Sequence, residues 1–196
     1  MRLRSAVALV AAVGVMPLAA FGQSAQRWSV QVSALSASLQ GDAYNSFNSG
    51  VGAEAQGRYT TRTGFSFGAG WQYTKHTVTG IQDGATIAGP FFEPRYTFVL
   101  GDNESFFPYG SGRFSILQES LSDRGLSATA SGGTINGGGG VLIRLGSNMN
   151  LDLGATFGLT NFGDVTFTSG GQKIVGNKGG SGTNFILRAG LAFGVK

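Results

Sequence analysis

The sequence predicts an all-β fold, an eight-stranded antiparallel up-and-down transmembrane β-barrel, and three observations predict it. Apolar and polar residues alternate in eight segments. Long and short connections alternate between those segments. The charged residues within the segments fall on the face opposite the apolar one, except Lys75 at the end of its segment. A barrel that crosses a membrane needs all three features, because each strand presents one row of side chains to lipid and one to the interior.

The chain begins with a segment of the secretory signal-peptide type. Basic MRLR precedes the apolar stretch SAVALVAAVGVMPLAAF, and the sequence turns polar at GQSAQRW. The small residues that end the apolar stretch predict cleavage before Gln23, with cleavage after Ala25 as an alternative. A glycine and a proline within the stretch, and its modest length, argue against an uncleaved membrane anchor. Residues 1–22 are therefore predicted to be the signal peptide and residues 23–196 the exported barrel domain.

The composition fits a chain of strands that has no covalent cross-link. It contains 34 glycines, 4 prolines and no cysteine, so neither a disulfide nor a thiolate metal site can stabilise it. Its Phe, Tyr, Val and Thr favour strands. The lysines and arginines are scattered singly, which argues against nucleic-acid binding. One histidine and dispersed carboxylates lack the spacing of a metal site, and no cofactor is predicted.

Eight segments show the period of two residues that is typical of a strand with two different faces. Most have roughly the 9 to 11 residues that cross a bilayer at the tilt of a barrel strand. Because their number is even, the chain returns to the side of the membrane on which it began. The segments are RWSVQVSALSASL, GVGAEAQGRYT, FSFGAGWQYTK, FFEPRYTFV, PYGSGRFSI, INGGGGVLIRL, NLDLGATFGLT and NFILRAGLAFGV.

The connections between these segments alternate in length. The short ones read TRTG, LGDNES and GSNM, and the long ones cover residues 40–49, 76–90, 117–134 and 161–183. An up-and-down membrane barrel has this alternation because its periplasmic turns are tight and its outer loops are long. The long connections are predicted to be outer loops, and the polar and glycine-rich composition of residues 119–131 and 161–183 favours mobility there.

Mid-strand charges fall opposite the continuous apolar face of their strand. Glu93 and Arg95, for example, oppose Phe92 and its apolar neighbours. An arginine that faced lipid at the bilayer midplane would cost about 2 to 4 kcal/mol, so the charges are predicted to point inward. Leu142 and Ile186 share this inward parity as apolar exceptions. The predicted polar network of the lumen consists of Glu54, Arg58, Glu93, Arg95, Arg113, Arg144, Asp152 and Arg188.

The opposite faces supply a belt of aromatic side chains that the pattern predicts to contact lipid. Only 12% of the residues are charged, which is low for a water-facing surface and favours lipid outside the barrel. A soluble exported β-barrel that binds an apolar ligand is the alternative. The belt consists of Trp28, Tyr59, Phe65, Phe67, Trp71, Tyr73, Phe92, Tyr96, Phe98, Phe114, Phe157, Phe185 and Phe193.

The order of FFEPRYTF, a tight turn and PYGSGRFS, with FILRAGLAFGV as the last strand, resembles the small outer-membrane β-barrel superfamily. This superfamily includes the OmpA-like transmembrane domain and the neisserial opacity-type surface proteins, and the resemblance covers the chain from about Trp28 onward. It implies location in the outer membrane of a Gram-negative cell, contact with its lipid, and the outer-membrane assembly machinery as a partner during biogenesis. Family members usually end in an aromatic residue that this machinery reads. This chain ends AFGVK, so Phe193 is expected to take that part.

The interior of an eight-stranded barrel is only wide enough for side chains to fill. Arginines that bridge carboxylates would plug it, which predicts a structural or surface-interaction role, with an unidentified extracellular ligand for the outer loops. A narrow porin-like channel that prefers anions is the alternative, because arginines outnumber acids. Enzyme activity is not predicted. His76, the single histidine, faces the interior at the outer end of its strand and has no serine or acid at a catalytic spacing.

Overall fold

The computed structural model describes residues 27–100, 105–123, 126–169 and 172–195, so the predicted signal peptide lies outside the described residues. Among the described residues, no helix is long and apolar enough to cross a membrane. The elements in chain order are β1 (Trp28–Gln40), the 3-10 helix η1 (Asp42–Tyr44), β2 (Gly50–Thr60), β3 (Phe65–Val78), β4 (Ile81–Thr97), β5 (Phe106–Asp123), β6 (Leu126–Arg144), β7 (Met149–Ser169), β8 (Gln172–Lys178) and β9 (Ser181–Val195).

The strands form one closed antiparallel barrel. Each strand from β1 to β7 pairs with the next in sequence, and β9 pairs with both β7 and β1. The outer part of β7 pairs with β8 instead, so β8 and β9 together occupy the place of a single strand. The wall therefore has eight positions, which confirms the predicted fold class.

The register fixes the stagger of the barrel. Hydrogen-bonded partners can be followed once around the wall from Val30 to Gln40, which lies ten residues farther along β1. A stagger of this size across eight strands corresponds to a strand tilt of about 40°. The path runs through Val30, Gly57, Ala69, Phe92, Phe114, Ile135, Leu159, Thr183 and Gln40.

The aromatic belt lies on the outer surface of the barrel. Ten of its thirteen residues are at least 40% exposed, a fraction that suits side chains surrounded by lipid. The other three, Tyr59, Tyr96 and Phe98, are half-buried because each contacts another aromatic ring. The ring centroids of Trp28 and Tyr59 are 4.9 Å apart, and those of Tyr96 and Phe98 are 5.1 Å apart. On β5 the outward row changes from Phe114 and Ile116 to polar residues at positions 118 and 120, which marks the outer edge of the belt.

The prediction that long loops connect the strands was wrong for three of the four outer connections. Segments 76–90, 117–134 and 161–183 are mostly strand, and only segment 40–49 is irregular apart from η1. The β3–β4 hairpin, for example, turns at Gly80, whose φ of +85° suits glycine. Outside the membrane both faces of a strand meet water or polar atoms. The period of two therefore fades from the sequence there, although the backbone ladder continues.

An arginine at position 155 tests which face of β7 meets lipid. Ala155 lies at the middle of the outward row that runs from Leu151 to Leu159, whereas Asn161 continues the same row beyond the apolar residues. We expect Ala155→Arg to lower the free energy of unfolding by about 2 to 4 kcal/mol in liposomes and Asn161→Arg to lower it by about 0 to 1 kcal/mol. Equal small effects in a urea titration of the two variants would indicate a water-facing surface and contradict the assignment.

Candidate functional site

One carboxylate, Glu93, lies at the centre of the lumen and is fully buried. Its Oε1 accepts hydrogen bonds from Arg58 Nη2 at 2.7 Å and from Arg95 Nη2 at 2.8 Å. Its Oε2 accepts from Arg113 Nε at 2.9 Å and from Arg188 Nη1 at 2.8 Å. Strands β2, β4, β5 and β9 each contribute one of these arginines. Four guanidinium groups from four strands therefore converge on one side chain.

Two further carboxylates complete the charge pairing around this centre. Glu54 accepts from Arg113 Nη1 at 2.7 Å and from Arg188 Nη1 at 3.3 Å. Asp152 accepts from Arg95 Nη2 at 3.0 Å. Arg95, Arg113 and Arg188 thus each bridge two acids, and such charge-assisted bonds offset the cost of removing the ions from water.

A tyrosine links the arginines to Asp152. The hydroxyl of Tyr109 donates to Asp152 Oδ1 at 2.5 Å, and the guanidinium carbon of Arg95 lies 3.8 Å from the centroid of its ring. Gly140 and Gly154 make room for this hydroxyl, because a Cβ at either position would lie 2.4 Å from it. Tyr109 was not among the predicted network residues, although its side chain has the same inward parity on β5 as that of Arg113.

Neutral side chains accept the remaining bonds. Gln56 Oε1 accepts from Arg58 Nη2 at 2.9 Å, and Gln72 Oε1 accepts from Arg113 Nη1 at 3.2 Å. The guanidinium carbon of Arg113 also lies 4.1 Å from the centroid of the Phe91 ring. We call the whole group the Glu93 network. It consists of Glu54, Gln56, Arg58, Gln72, Glu93, Arg95, Tyr109, Arg113, Asp152 and Arg188.

The eighth predicted member of the network, Arg144, lies elsewhere. It is the last residue of β6, eight residues from Asn136, which pairs with Arg113. That separation is about 26 Å along the strand. Arg144 is half-exposed, and its guanidinium carbon lies 5.5 Å from the centroid of the Phe107 ring at the inner end of the barrel. Parity assigned its face correctly but carries no information about its height in the lumen.

The outer end of the lumen is closed by apolar side chains. Tyr44 of η1 packs against Ile87, Leu117, Ala130 and Phe162, and we call these five residues the outer cap. The Tyr44 hydroxyl donates to the Gly180 carbonyl at 3.2 Å, which ties η1 to the residues before β9. The cap was not predicted, because all five residues lie in the segments that the sequence assigns to the long outer connections.

A mixed layer separates the outer cap from the Glu93 network. Asn136 Nδ2 donates to Asn184 Oδ1, and Asn184 Nδ2 donates to Thr160 Oγ1 at 2.7 Å. Ile186, one of the two apolar exceptions to the inward polar pattern, packs with Leu35 and with the neighbouring Ala37. The other exception, Leu142, lines a cavity at the inner end of the lumen.

The single histidine is held in a neutral form beyond the lipid belt. His76 is 1% exposed, and its Nδ1 lies 3.1 Å from the carbonyl oxygen of Asn48. A carbonyl can only accept, so Nδ1 carries the proton. Nε2 lies 3.2 Å from the Thr74 hydroxyl oxygen, and that hydroxyl is also 3.4 Å from the Ile87 carbonyl oxygen. Burial lowers the pKa of His76 and so favours the uncharged ring. No group of three potential metal ligands occurs in the part of the chain that the structure describes.

The geometry agrees with the comparisons with known proteins. The sequence model of the family described as "outer membrane protein beta-barrel domain" matches residues 5–193. The chain belongs to this family. Membership implies location in the outer membrane, as predicted. A search of curated proteins finds no match.

Solved structures share the fold at low sequence identity. Neisserial surface protein A (NspA) aligns with a TM-score of 0.63 and 17% identity, over 86% of this chain and 97% of that one. OprG from Pseudomonas aeruginosa has a TM-score of 0.53 and 13% identity over 90% and 100% of the two chains. Ail, the attachment invasion locus protein of Yersinia pestis, has a TM-score of 0.51 and 15% identity over 86% and 99%. At these identities the likeness shows the fold alone.

Neutralising the central carboxylate tests its place in the network. We expect Glu93→Gln to lower the free energy of unfolding by about 3 to 5 kcal/mol in detergent micelles, because four buried guanidinium groups lose their shared anion. Asp152→Asn is the matched control and should cost less, since Asp152 forms ion pairs with two arginines, Arg95 at 3.0 Å and Arg188 at 3.8 Å, whereas Glu93 forms ion pairs with four. Equal urea midpoints for the two variants would contradict a central role for Glu93.

A buried carboxylate, Glu119, lies two residues beyond Leu117 of the outer cap on β5 and predicts a pH dependence of stability. This residue lies beyond the lipid belt, and burial raises its pKa from 4.5 to about 7. The folded state therefore binds a proton more tightly than the unfolded state, and the resulting stability is present below pH 4.5 and is lost as pH rises through 7. Relative to Glu119→Gln, the wild type should lose about 3 kcal/mol of unfolding free energy between pH 4.5 and pH 8. Parallel pH profiles in urea titrations would contradict this expectation.

Proposed function

We propose that the protein is a structural and surface-interaction component of the outer membrane and that its lumen is closed to solutes. The main support for a closed lumen is the convergence of four arginines on Glu93. Side chains from opposite parts of the wall meet there, so the centre of the barrel is occupied by protein atoms. A role that needs passage through the lumen would require these ion pairs to separate inside the barrel.

A second closure supports the same conclusion. The outer cap lies on the extracellular side of the Glu93 network and consists of apolar side chains that are 6% exposed or less. Water and ions are therefore excluded by apolar packing outside and by paired charges inside. The two closures are chemically different, so no single change of pH or salt opens both.

The surface-interaction part of the proposal rests on the strands that extend beyond the lipid belt. The β7–β8 hairpin continues the barrel wall outward and presents Phe167, Ile174 and Val175, which are 50%, 66% and 69% exposed. Exposed Lys173 lies beside them. A mixed apolar and basic surface of this kind is suited to contacts outside the cell. Two of the structural neighbours are described as a surface protein and an attachment invasion locus protein, which accords with such a role.

A narrow porin-like channel is the second candidate, because the Glu93 network contains more arginines than acids. Single-channel recording in planar bilayers distinguishes it from a plugged barrel. We expect no conductance from the wild type and reproducible openings from the double variant Arg188→Ala and Phe162→Ala, which removes one residue from each closure. Heat-dependent gel mobility would verify that both proteins are folded. Conductance of the wild type would overturn the closed-lumen proposal.

Site-directed labelling tests which end of the barrel faces the outside. The chain has no cysteine, so a single introduced thiol is unambiguous. In intact cells a membrane-impermeant maleimide should label Ile174→Cys in the β7–β8 hairpin and should not label Gly146→Cys in the β6–β7 turn. Permeabilised cells should show labelling of both. The reverse pattern in intact cells would contradict the surface role of the hairpin.

Nothing in the part of the chain that the structure describes favours catalysis. His76 is engaged by a carbonyl and a hydroxyl, and its neutral ring is buried. The absence of enzyme activity stays a prediction.

A further inference from the structure

The inner end of the lumen contains a polar cavity that the Glu93 network closes at its deep side. Hydroxyl side chains line its walls, among them Ser29, Thr60, Ser66 and Thr97. Arg58 and Arg95 line the same cavity, and both lie two residues farther into the barrel than Thr60 and Thr97. We call this space the inner vestibule. Its walls combine two guanidinium groups with small donors, which is the donor set that binds oxyanions.

Both arginines retain an N–H group for which the described residues supply no acceptor. Arg58 and Arg95 direct their terminal nitrogens to Glu93 and its neighbours. The Nε atoms of both are buried and have no acceptor among the described residues. The two residues are only 5% and 2% exposed. A buried donor without an acceptor costs about 1 to 3 kcal/mol. Arg188 Nε also lacks an acceptor among the described residues. Of the four arginines, however, only Arg58 and Arg95 line the inner vestibule, where an added acceptor would stabilise the barrel.

The charge of the network points to an anion. Four arginines, Arg58, Arg95, Arg113 and Arg188, face three carboxylates, which leaves one positive charge in excess. Glu119 is the other buried carboxylate among the described residues. It lies six residues outward of Arg113 on β5, about 20 Å along the strand, and cannot compensate charge at the inner vestibule.

We propose that the inner vestibule is a binding site for a phosphate-type oxyanion. Two of its oxygens accept from Arg58 Nε and Arg95 Nε, and the others accept from the hydroxyl groups of the walls. A tetrahedral oxyanion suits this set better than a halide, because it offers several acceptor atoms together with its charge. The inner leaflet of the membrane and the aqueous periplasm both meet this end of the barrel. The phosphate is therefore either a lipid headgroup or free inorganic phosphate. The proposal is independent of the proposed function, since the site lies on the inner side of the closed lumen.

Nitrogen-15 NMR of the arginine Nε–H groups tests the site directly. The protein, refolded in a detergent that contains no phosphate, is titrated with sodium phosphate and, separately, with sodium chloride at matched ionic strength. We expect saturable shifts of the Arg58 and Arg95 Nε–H signals with phosphate, and no shift of exposed Arg62. Absence of shifts, or the same shifts with chloride, would overturn the proposal.

Substitutions separate specific binding from general screening. Ser66 Oγ accepts from Arg58 Nη1 at 3.1 Å, so Ser66→Asp places a carboxylate beside the guanidinium group and should weaken phosphate binding at least about tenfold. Thr97→Asp, at the other arginine, provides a second variant if the first does not fold. Ser131→Asp on the exposed wall is the control and should bind phosphate like the wild type. Unchanged binding in both vestibule variants would overturn the proposal.

Two further titrations distinguish the source of the phosphate. Dihexanoyl phosphatidylglycerol and inorganic phosphate are added in turn to the same micelles. Saturation of the Arg58 and Arg95 signals at lower concentrations of the lipid identifies a headgroup site. Saturation by inorganic phosphate alone identifies a site for the free anion. Failure of both probes would contradict the shared oxyanion chemistry.

Discussion

The structure depends on the burial of one carboxylate, Glu93, among four arginines. In the Glu93 network three carboxylates serve four guanidinium groups, so the ion pairs are shared. Strands β2, β4, β5 and β9 are therefore coupled through one side chain in addition to their backbone ladders. A buried network of ion pairs contributes little net stability to a protein compared with an apolar core. Loss of one member, however, strongly destabilises the protein, because it leaves a buried charge without its partner. The Glu93 network thus requires one specific arrangement of the side chains in the lumen, whereas an apolar core would tolerate several.

The outer surface is apolar and the lumen is polar, and in both places a polar group without a partner is costly because little water is present to solvate it. Lipid cannot solvate a charge or a free backbone group, so the wall closes on itself and its outward row is apolar. The lumen has little space for water, so its polar groups must satisfy one another. The Glu93 network meets this demand near the middle of the barrel, and the outer cap meets it by replacing polar groups with Tyr44, Leu117, Phe162 and their neighbours. Among the described residues some buried donors still lack a protein acceptor, among them Arg58 Nε and Arg95 Nε beside the inner vestibule and Arg188 Nε within the network.

Much of this could be predicted from the sequence, because parity along a strand is a local property. The alternation of Glu93 and Arg95 with Phe92 and Pro94 assigns each side chain to a face without knowledge of the partner strands. The height of a residue in the barrel is different, since it depends on the register of every strand pair. Arg144 has the correct parity, but its position at the end of β6 separates it from Glu93.

Tyr109, the outer extensions of the strands and the outer cap could not be predicted, because each depends on contacts between different strands. Tyr109 has an ordinary sequence context, and its importance arises from Asp152 on another strand. The outer halves of β5, β6 and β7 carry polar residues on both faces, so the sequence there resembles loops although the ladder continues. The outer cap follows from that extension, because Leu117, Ala130 and Phe162 face one another only when these segments are strands.

The energetic coupling between Glu93 and Arg58 measures how far the lumen depends on the central carboxylate, because Glu93 is the only acid that Arg58 contacts among the described residues. A double-mutant cycle would measure the free energy of unfolding for the wild type, Glu93→Gln, Arg58→Met and the double variant in the same micelles. The account predicts that the double variant is more stable than the sum of the single effects by about 1 to 3 kcal/mol, since removal of Glu93 leaves Arg58 buried without its anion. Additive effects within about 0.5 kcal/mol would contradict it.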